Sequence, residues 1–185
     1  MRKLKLQVQM TVDGFITGTN HEMNWMTYPW SGDISKYVME LTEPTDSIVL
    51  GKNLAEGFIP HWASKPDGED PKFVAKMNDA KKIVFTKTLD KSIWANTTLA
   101  KGDLVEEINN LKNQEGKDIM VYGGSQFVSS LIKNNLIDEY YLFINPTAIG
   151  NGMPIFKELS AYQSFEVKEV KHFECGIIVL VYKPI

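Results

Sequence analysis

Apolar and polar positions alternate from Leu4 to Met10, and the run ends in Thr11-Val12-Asp13-Gly14. That pattern predicts a half-buried strand running into a turn. Asp46–Gly51, Lys82–Thr86 and Asp118–Tyr122 are shorter and more continuously apolar, as strands buried on both faces are. Between them the period lengthens. Tyr37, Val38 and Leu41 predict a helix beginning at Asp33, and Lys52–Phe58 reads as a short helix. Asp103–Asn113 is a helix with Asp103 as its cap, and Ser125–Asn134 is amphipathic, apolar at Phe127, Val128, Leu131 and Ile132. Ile59–Pro71, with Pro60, Pro66, Gly68 and Pro71, is the least regular stretch and reads as a surface excursion. Glu139–Asn145 is a further strand, and Phe165–Phe173 with Ile177–Tyr182 form a terminal hairpin. Alternating strands and helices followed by a hairpin predict a three-layer α/β/α fold, its central sheet mostly parallel with an antiparallel C-terminal edge.

Composition narrows the class. At 185 residues, 43% hydrophobic and 23% charged, the chain has the make-up of one folded domain over 1–185. Its net charge of −3 argues against a general nucleic-acid binder. Arg2 is the only arginine, so phosphate binding would fall to lysines and backbone N–H groups. Cys175 is the only cysteine, which excludes an intrachain disulfide and a cysteine zinc cluster; in Glu174-Cys175-Gly176 it reads as a turn thiol. His21, His61 and His172 show no metal-ligand spacing, and no metal is expected. No apolar run approaches the ~18 residues of a membrane span, so the expectation is a cytoplasmic protein with no membrane partner.

Candidate chemistry collects at the ends of the predicted strands. Tyr122-Gly123-Gly124-Ser125-Gln126-Phe127 places two glycines at a strand end and opens a helix, whose free N–H groups suit a pyrophosphate. A tight βα turn explains the same residues equally well. No Lys follows in P-loop fashion. Gly51-Lys52-Asn53 offers a cation at another strand end, and Thr86-Lys87-Thr88 offers hydroxyls and a lysine at a third. Singly each is ordinary; together they mark the edge at which open α/β sheets bind ligands.

These segments carry a family resemblance. Thr11-Val12-Asp13-Gly14-Phe15-Ile16-Thr17-Gly18 resembles the opening S-x-D-G-[FY]-I-[AT]-G of the RibD C-terminal, or deaminase–reductase, family. Asp46–Glu56 resembles its D-x-[IL]-[VL]-x-G-R-[KR]-T-[YF]-E. Tyr122–Ser125, Leu136–Glu139 and Pro146–Phe156 resemble its G-G-[AS], L-[IV]-D-E and P-x-x-[LI]-G-x-G-x-P-[LI]-F, in the same order over essentially the whole chain. The resemblance implies a dihydrofolate-reductase-like sheet, NADPH as cofactor, commonly a homodimer, and a reductase of the kind that acts in riboflavin biosynthesis. It implies that the Gly51 and Thr86 turns hold the adenosine half of NADPH and that Gly123-Gly124-Ser125 hold the pyrophosphate. Val12 and Gly18, in the segment Thr11–Gly18, would line the nicotinamide, and Gly150 and Gly152 the substrate.

Departures from the pattern matter. G-R-K-T is Gly51-Lys52-Asn53-Leu54 here, which keeps a charge but loses the bidentate fork and a hydroxyl. No His-x-Glu or Pro-Cys-x-x-Cys appears, so the deaminase half is missing. Two carboxylates compete for the chemistry. Asp33, by analogy with the first-helix carboxylate of dihydrofolate reductases, is the first choice and has a helix cap as its structural alternative; Asp13 is the second, with an Asp-Gly turn as its alternative. Trp25 and Trp30, in the aromatic stretch Phe15–Ser31, are candidates to stack on a flat ring, with core packing as the plainer role. The reading is an NADPH-dependent reductase of a pterin- or pyrimidine-like heterocycle. The rival is a nucleotide-binding or regulatory domain that keeps the cradle without turnover.

Overall fold

The strand β1 (Leu4–Thr11) sends Leu4, Leu6, Val8 and Met10 to one side, where they pack on Val128, Leu131 and Ile132 of α5 (Ser125–Lys133) and Ile108 of α4 (Leu104–Asn113). On the other side α1 (Gly32–Thr42) lays Ile34, Tyr37, Val38 and Leu41 against Met120 and Phe143. Beside it α2 (Lys52–Ala63) and α3 (Pro71–Asp79) cover Ile48, Leu50 and Val84. The sheet between these layers also contains β3 (Thr45–Gly51), β4 (Lys81–Phe85), β5 (Thr97–Ala100), β6 (Asp118–Val121), β7 (Glu139–Asn145), β9 (Phe165–His172) and β10 (Ile178–Pro184). Their order is β5-β4-β3-β6-β1-β7-β10-β9. All pairs up to β7 are parallel, and β10 runs antiparallel to β7 and β9. A separate ribbon joins β2 (Phe15–Thr17) to β8 (Met153–Pro154). This computed structural model describes all 185 residues, Met1–Ile185. No helix is long and apolar enough to cross a membrane.

The expected architecture therefore holds, with three corrections. The helix after Gly51 runs on to Ala63 and carries Pro60 inside it, at the cost of one backbone donor. The stretch read as an excursion contains the start of α3: Asp70 accepts from the Lys72 N–H at 2.7 Å, and Pro71 takes the first helical position. The first helix begins at Gly32, with Ser31 at the N-cap, so Asp33 lies inside the helix and does not cap it.

Because six strands run the same way, their carboxyl ends share one edge. The amino edge is built from charge: Lys5 bonds Asp118 at 2.8 Å, Lys3 bonds Glu139 at 2.6 Å, and Lys112 bonds Asp138 at 2.7 Å. Arg2 pairs there with Asp46 and Ser47.

Candidate functional site at the carboxyl edge

The helix α5 follows β6 through two glycines in left-handed conformations, Gly123 at φ 146° and Gly124 at φ 80°. A side chain at either would be strained, and one at Gly124 would have nothing nearer than 3.8 Å, so the approach to the helix end is open. No side chain caps α5, whereas Asp70 and Asp103 cap α3 and α4. The first N–H groups of α5, from Ser125, Gln126 and Phe127, are left for an outside acceptor. Ser125 is buried and Gln126 exposed. The side chains of the two aromatics point elsewhere. Tyr122 stacks on Phe58 at 5.3 Å and puts its hydroxyl on Met77 Sδ. Phe127 packs on Phe85 at 5.2 Å and against Gly51, where a Cβ would stand 3.0 Å from its own. Phe127 thus ties the ends of β3 and β4 to α5.

The polar clusters beside this turn are largely engaged with the protein. Thr86 Oγ1 accepts from the N–H groups of Thr88 and Leu89 and closes the turn after β4. Lys87 Nζ donates to the carbonyls of Lys101 and Gly102, at 2.7 and 3.0 Å. Lys52 stands 3.6 Å from Glu56, one helical turn on, while Asn53 and Thr88 are exposed. Lys52 is therefore the cation of this group still free to move toward a phosphate, and a carboxylate competes for it.

At the other end of the edge, two loops are stitched together by Asp13. Its carboxylate accepts the N–H groups of Gly150 at 2.7 Å and Ile149 at 3.1 Å, and Val12 N–H bonds Thr147 O. The Thr11 hydroxyl and these two N–H groups hold its pKa below the ordinary carboxylate value. Gly152 has no room for a side chain, since a Cβ would meet Thr17 O at 2.4 Å; Gly150, at φ 74°, faces open space. Glu22 lies against Gly18, in contact with any Cβ placed there, and Val12 is exposed.

Asp33 sits where the first turn of α1 meets the β9–β10 turn. Oδ1 accepts from Ser31 Oγ at 2.5 Å and from Ile34 N–H, and Oδ2 accepts from Glu174 N–H at 3.0 Å. The Ser31 hydroxyl first, then the Glu174 and Ile34 N–H groups, keep this carboxyl below its usual pKa. Cys175 lies in the same turn, its N–H on Ser31 Oγ. Trp30 stacks on Phe143 at 6.4 Å, so one of its faces is taken. The buried indole N–H groups of Trp25 and Trp30 and the hydroxyl of Thr17 have no partner in the protein.

One residue of this region has no sequence signal beyond being polar at the end of an apolar run. Asn145, fully buried at the end of β7, donates to Gln9 Oε1 at 2.8 Å and to Phe143 O at 3.1 Å, and accepts the Thr27 N–H at 2.9 Å. It fastens the aromatic loop to the sheet. Two overlapping grooves of about 550 and 750 Å³ lie well away, at Leu159–Gln163 near the C-terminal end of α5.

A family model of the RibD C-terminal domain matches residues 2–179. Two uncharacterized proteins of Bacillus subtilis are similar: YyaP is 28% identical over 98% of this chain and 94% of its own length, and YwjB is 23% identical over 93% and 92%. Among solved structures, a Shewanella sp. PV-4 protein named for riboflavin biosynthesis is 22% identical, with a TM-score of 0.78 over 100% of this chain and 99% of its own. A pyrimidine reductase-like protein of Corynebacterium diphtheriae is 14% identical, with a TM-score of 0.70 over 100% and 92%. The Thermotoga maritima diaminohydroxyphosphoribosylaminopyrimidine deaminase/5-amino-6-(5-phosphoribosylamino)uracil reductase is 20% identical, with a TM-score of 0.72; this chain covers 57% of it. The match is continuous from the first strand to the last, and the chain belongs to the RibD C-terminal domain family.

Proposed function

We propose that this protein is an NADPH-dependent reductase of a small, flat pterin- or pyrimidine-like ring. The observation that carries the reading is the gathering of an uncapped helix end, two lysine-bearing turns, one of them with hydroxyls, and an aromatic loop along one sheet edge. The names of the Thermotoga neighbour, a deaminase and 5-amino-6-(5-phosphoribosylamino)uracil reductase, and of the Corynebacterium neighbour, a pyrimidine reductase-like protein, support the class of reaction. The open approach at Gly124 and the free N–H groups of α5 fit a dinucleotide pyrophosphate. Lys52 would hold the adenosine phosphate, against the pull of Glu56, so the preference over NADH is modest.

Bound NADPH supplies the hydride. The chain's own residues do the rest. Asp33, ionised at neutral pH, accepts a ring N–H and favours a protonated ring. Asp13 holds the Thr11–Gly18 and Pro146–Gly152 loops together, and Asn145 fastens the aromatic loop to the sheet. The single arginine lies at the opposite edge, bonded to Asp46, which favours a substrate without a phosphate. Fluorescence titration with NADPH and NADH, followed by an absorbance screen at the nicotinamide band with pterins, folates and aminopyrimidines, tests the proposal. Tight NADPH binding with oxidation by one of these classes is expected. Binding without turnover would leave a regulatory nucleotide domain, and binding of neither cofactor would overturn the cradle.

A further inference from the structure

On β1 the residues that alternate with the apolar set are Lys5, Gln7, Gln9 and Thr11. Gln9 pairs in register with Phe143, so this set faces the α1 side, which Phe143, Ile34 and Tyr37 otherwise fill with apolar surface. Polar side chains at such inward positions need partners. Lys5 has Asp118 at 2.8 Å, and the Thr11 hydroxyl accepts the Phe15 N–H at 3.0 Å. The glutamines differ. Gln7 is 6% exposed and its Oε1 has no partner. Gln9 is half-buried, and its side chain bonds the protein through its oxygen alone, which accepts from Asn145 Nδ2 at 2.8 Å.

The direction of that bond is fixed from outside the pair. The Thr27 N–H can only donate, and it donates to Asn145 Oδ1 at 2.9 Å. Asn145 Nδ2 is thereby turned to Phe143 O and to Gln9. Gln9 answers with its oxygen, which leaves its NH2 group with two N–H donors and no acceptor in the protein. Gln9 lies three residues past the last β1–β6 pair, Leu6 with Val121, level with the Gly123-Gly124 turn. On its other side is Phe143, on which Trp30 stacks. The free donors thus stand at the carboxyl edge, between the candidate pyrophosphate turn and the aromatic loop.

We propose that Gln9 is a specificity-determining residue: its NH2 group reads a carbonyl oxygen on the substrate ring and rejects an amino group at the same place. The proposal rests on the ring-reductase reading above and adds to it the polarity of one contact. A ring carbonyl accepts the Gln9 N–H. An amino group there sets donor against donor, and Gln9 cannot turn to suit it. Flipping its amide would break the bond to Asn145 and set Nε2 against Nδ2, with Asn145 held in place by the Thr27 N–H. A site built to bond one polar group discriminates strongly against the analogue that leaves its own donor unpaired.

Calorimetric titration of the full chain with 2-amino-4-oxopteridine and with 2,4-diaminopteridine, each with and without saturating NADPH, tests this. The two rings differ at one substituent and both are neutral at neutral pH. The oxo ring should bind more tightly by about tenfold or more. Gln9→Glu keeps an acceptor for Asn145 and presents oxygen in place of NH2, so the preference should reverse. Gln9→Met fills similar space without a donor and should bring the two affinities within about threefold of each other; it carries the test if the Glu variant does not fold. Thermal melts establish which variants are folded. Equal affinity of the unaltered chain for the two rings, binding of neither, or an oxo preference that survives in a folded Gln9 variant would each overturn the proposal. NADPH turnover beside any of these results would leave the reductase reading standing. An oxo preference set by Gln9 without NADPH binding would do the reverse, keeping the contact and removing the reaction.

Discussion

The proposed reaction gives the Asp33 carboxylate a second duty beside its structural one. Three donors, Ser31 Oγ, Ile34 N–H and Glu174 N–H, already occupy it, and a carboxylate offers about four lone-pair directions. One direction therefore remains for a ring N–H. The same donors lower its pKa, so it serves as a fixed negative charge and not as a proton donor at neutral pH. Asp33→Asn keeps the shape but removes that charge. Turnover should fall by ~10²-fold, the scale of a positioned acid–base group, with NADPH affinity nearly unchanged. Residual activity should rise toward low pH, where solution supplies the protonated ring. Steady-state rates across pH, beside a cofactor titration, check this, and unchanged turnover would leave Asp33 as a pin between α1 and the β9–β10 turn. Asp13, with its oxygens spent on Ile149 and Gly150, is the less suitable group for the chemistry.

At the scale of elements, the proposed function makes the start of α5 the point that decides whether NADPH binds. Gly124→Val would force a branched side chain into φ 80° and set it in the open approach to the helix N–H groups. We expect a folded protein with NADPH binding lost, measured by titration beside a thermal melt; undiminished binding would displace the cradle from this turn. The Gly-Gly turn was legible because glycine at a strand end has few other uses, and the buried strands were legible because continuous apolar runs are rare elsewhere. The helix α3 was hidden. Its apolar residues Val74 and Met77 are sparse, and the Asp70-Pro71 start signal fell in a stretch dominated by proline and glycine. Asn145 was hidden for another reason. Its worth lies in Thr27 and Gln9, far away in sequence, and nothing local records those partners. The lysines show the opposite limit: sequence places Lys52 and Lys87 at the right edge, but only packing reveals that Glu56 and two carbonyls compete for them.

Across the whole molecule the sheet is polarised, with the candidate cofactor turns at its carboxyl edge and ion pairs at its amino edge. The second set governs stability in acid. Burial pushes the Asp118 carboxyl up, but the hydrogen bond and charge of Lys5 and the Lys3 N–H outweigh it, so the net shift is downward. Glu139 is likewise lowered on balance: burial raises it, and Lys3, Tyr141 and Lys5 more than offset the rise. A carboxylate whose folded pKa lies below its unfolded one stabilises the protein above the unfolded value, ~3.9 for Asp and ~4.3 for Glu, and loses that contribution as pH falls through the folded value. Melting temperature should therefore hold near neutral pH and drop below about pH 4. Asp118→Asn leaves the Lys5 ammonium, whose side chain is 9% exposed, with only Glu139 at 3.9 Å. The loss at pH 7 should be roughly 1–3 kcal/mol, between the values for exposed and buried pairs. At roughly 2–4 °C per kcal/mol for a chain of this length, the melt should shift by several degrees. The variant should also lose less than the unaltered chain on going from pH 7 to pH 3, because one of the carboxylates that titrates in that window is gone. Equal acid sensitivity in the two proteins would show that the Lys5–Asp118 pair does not set the acid limit.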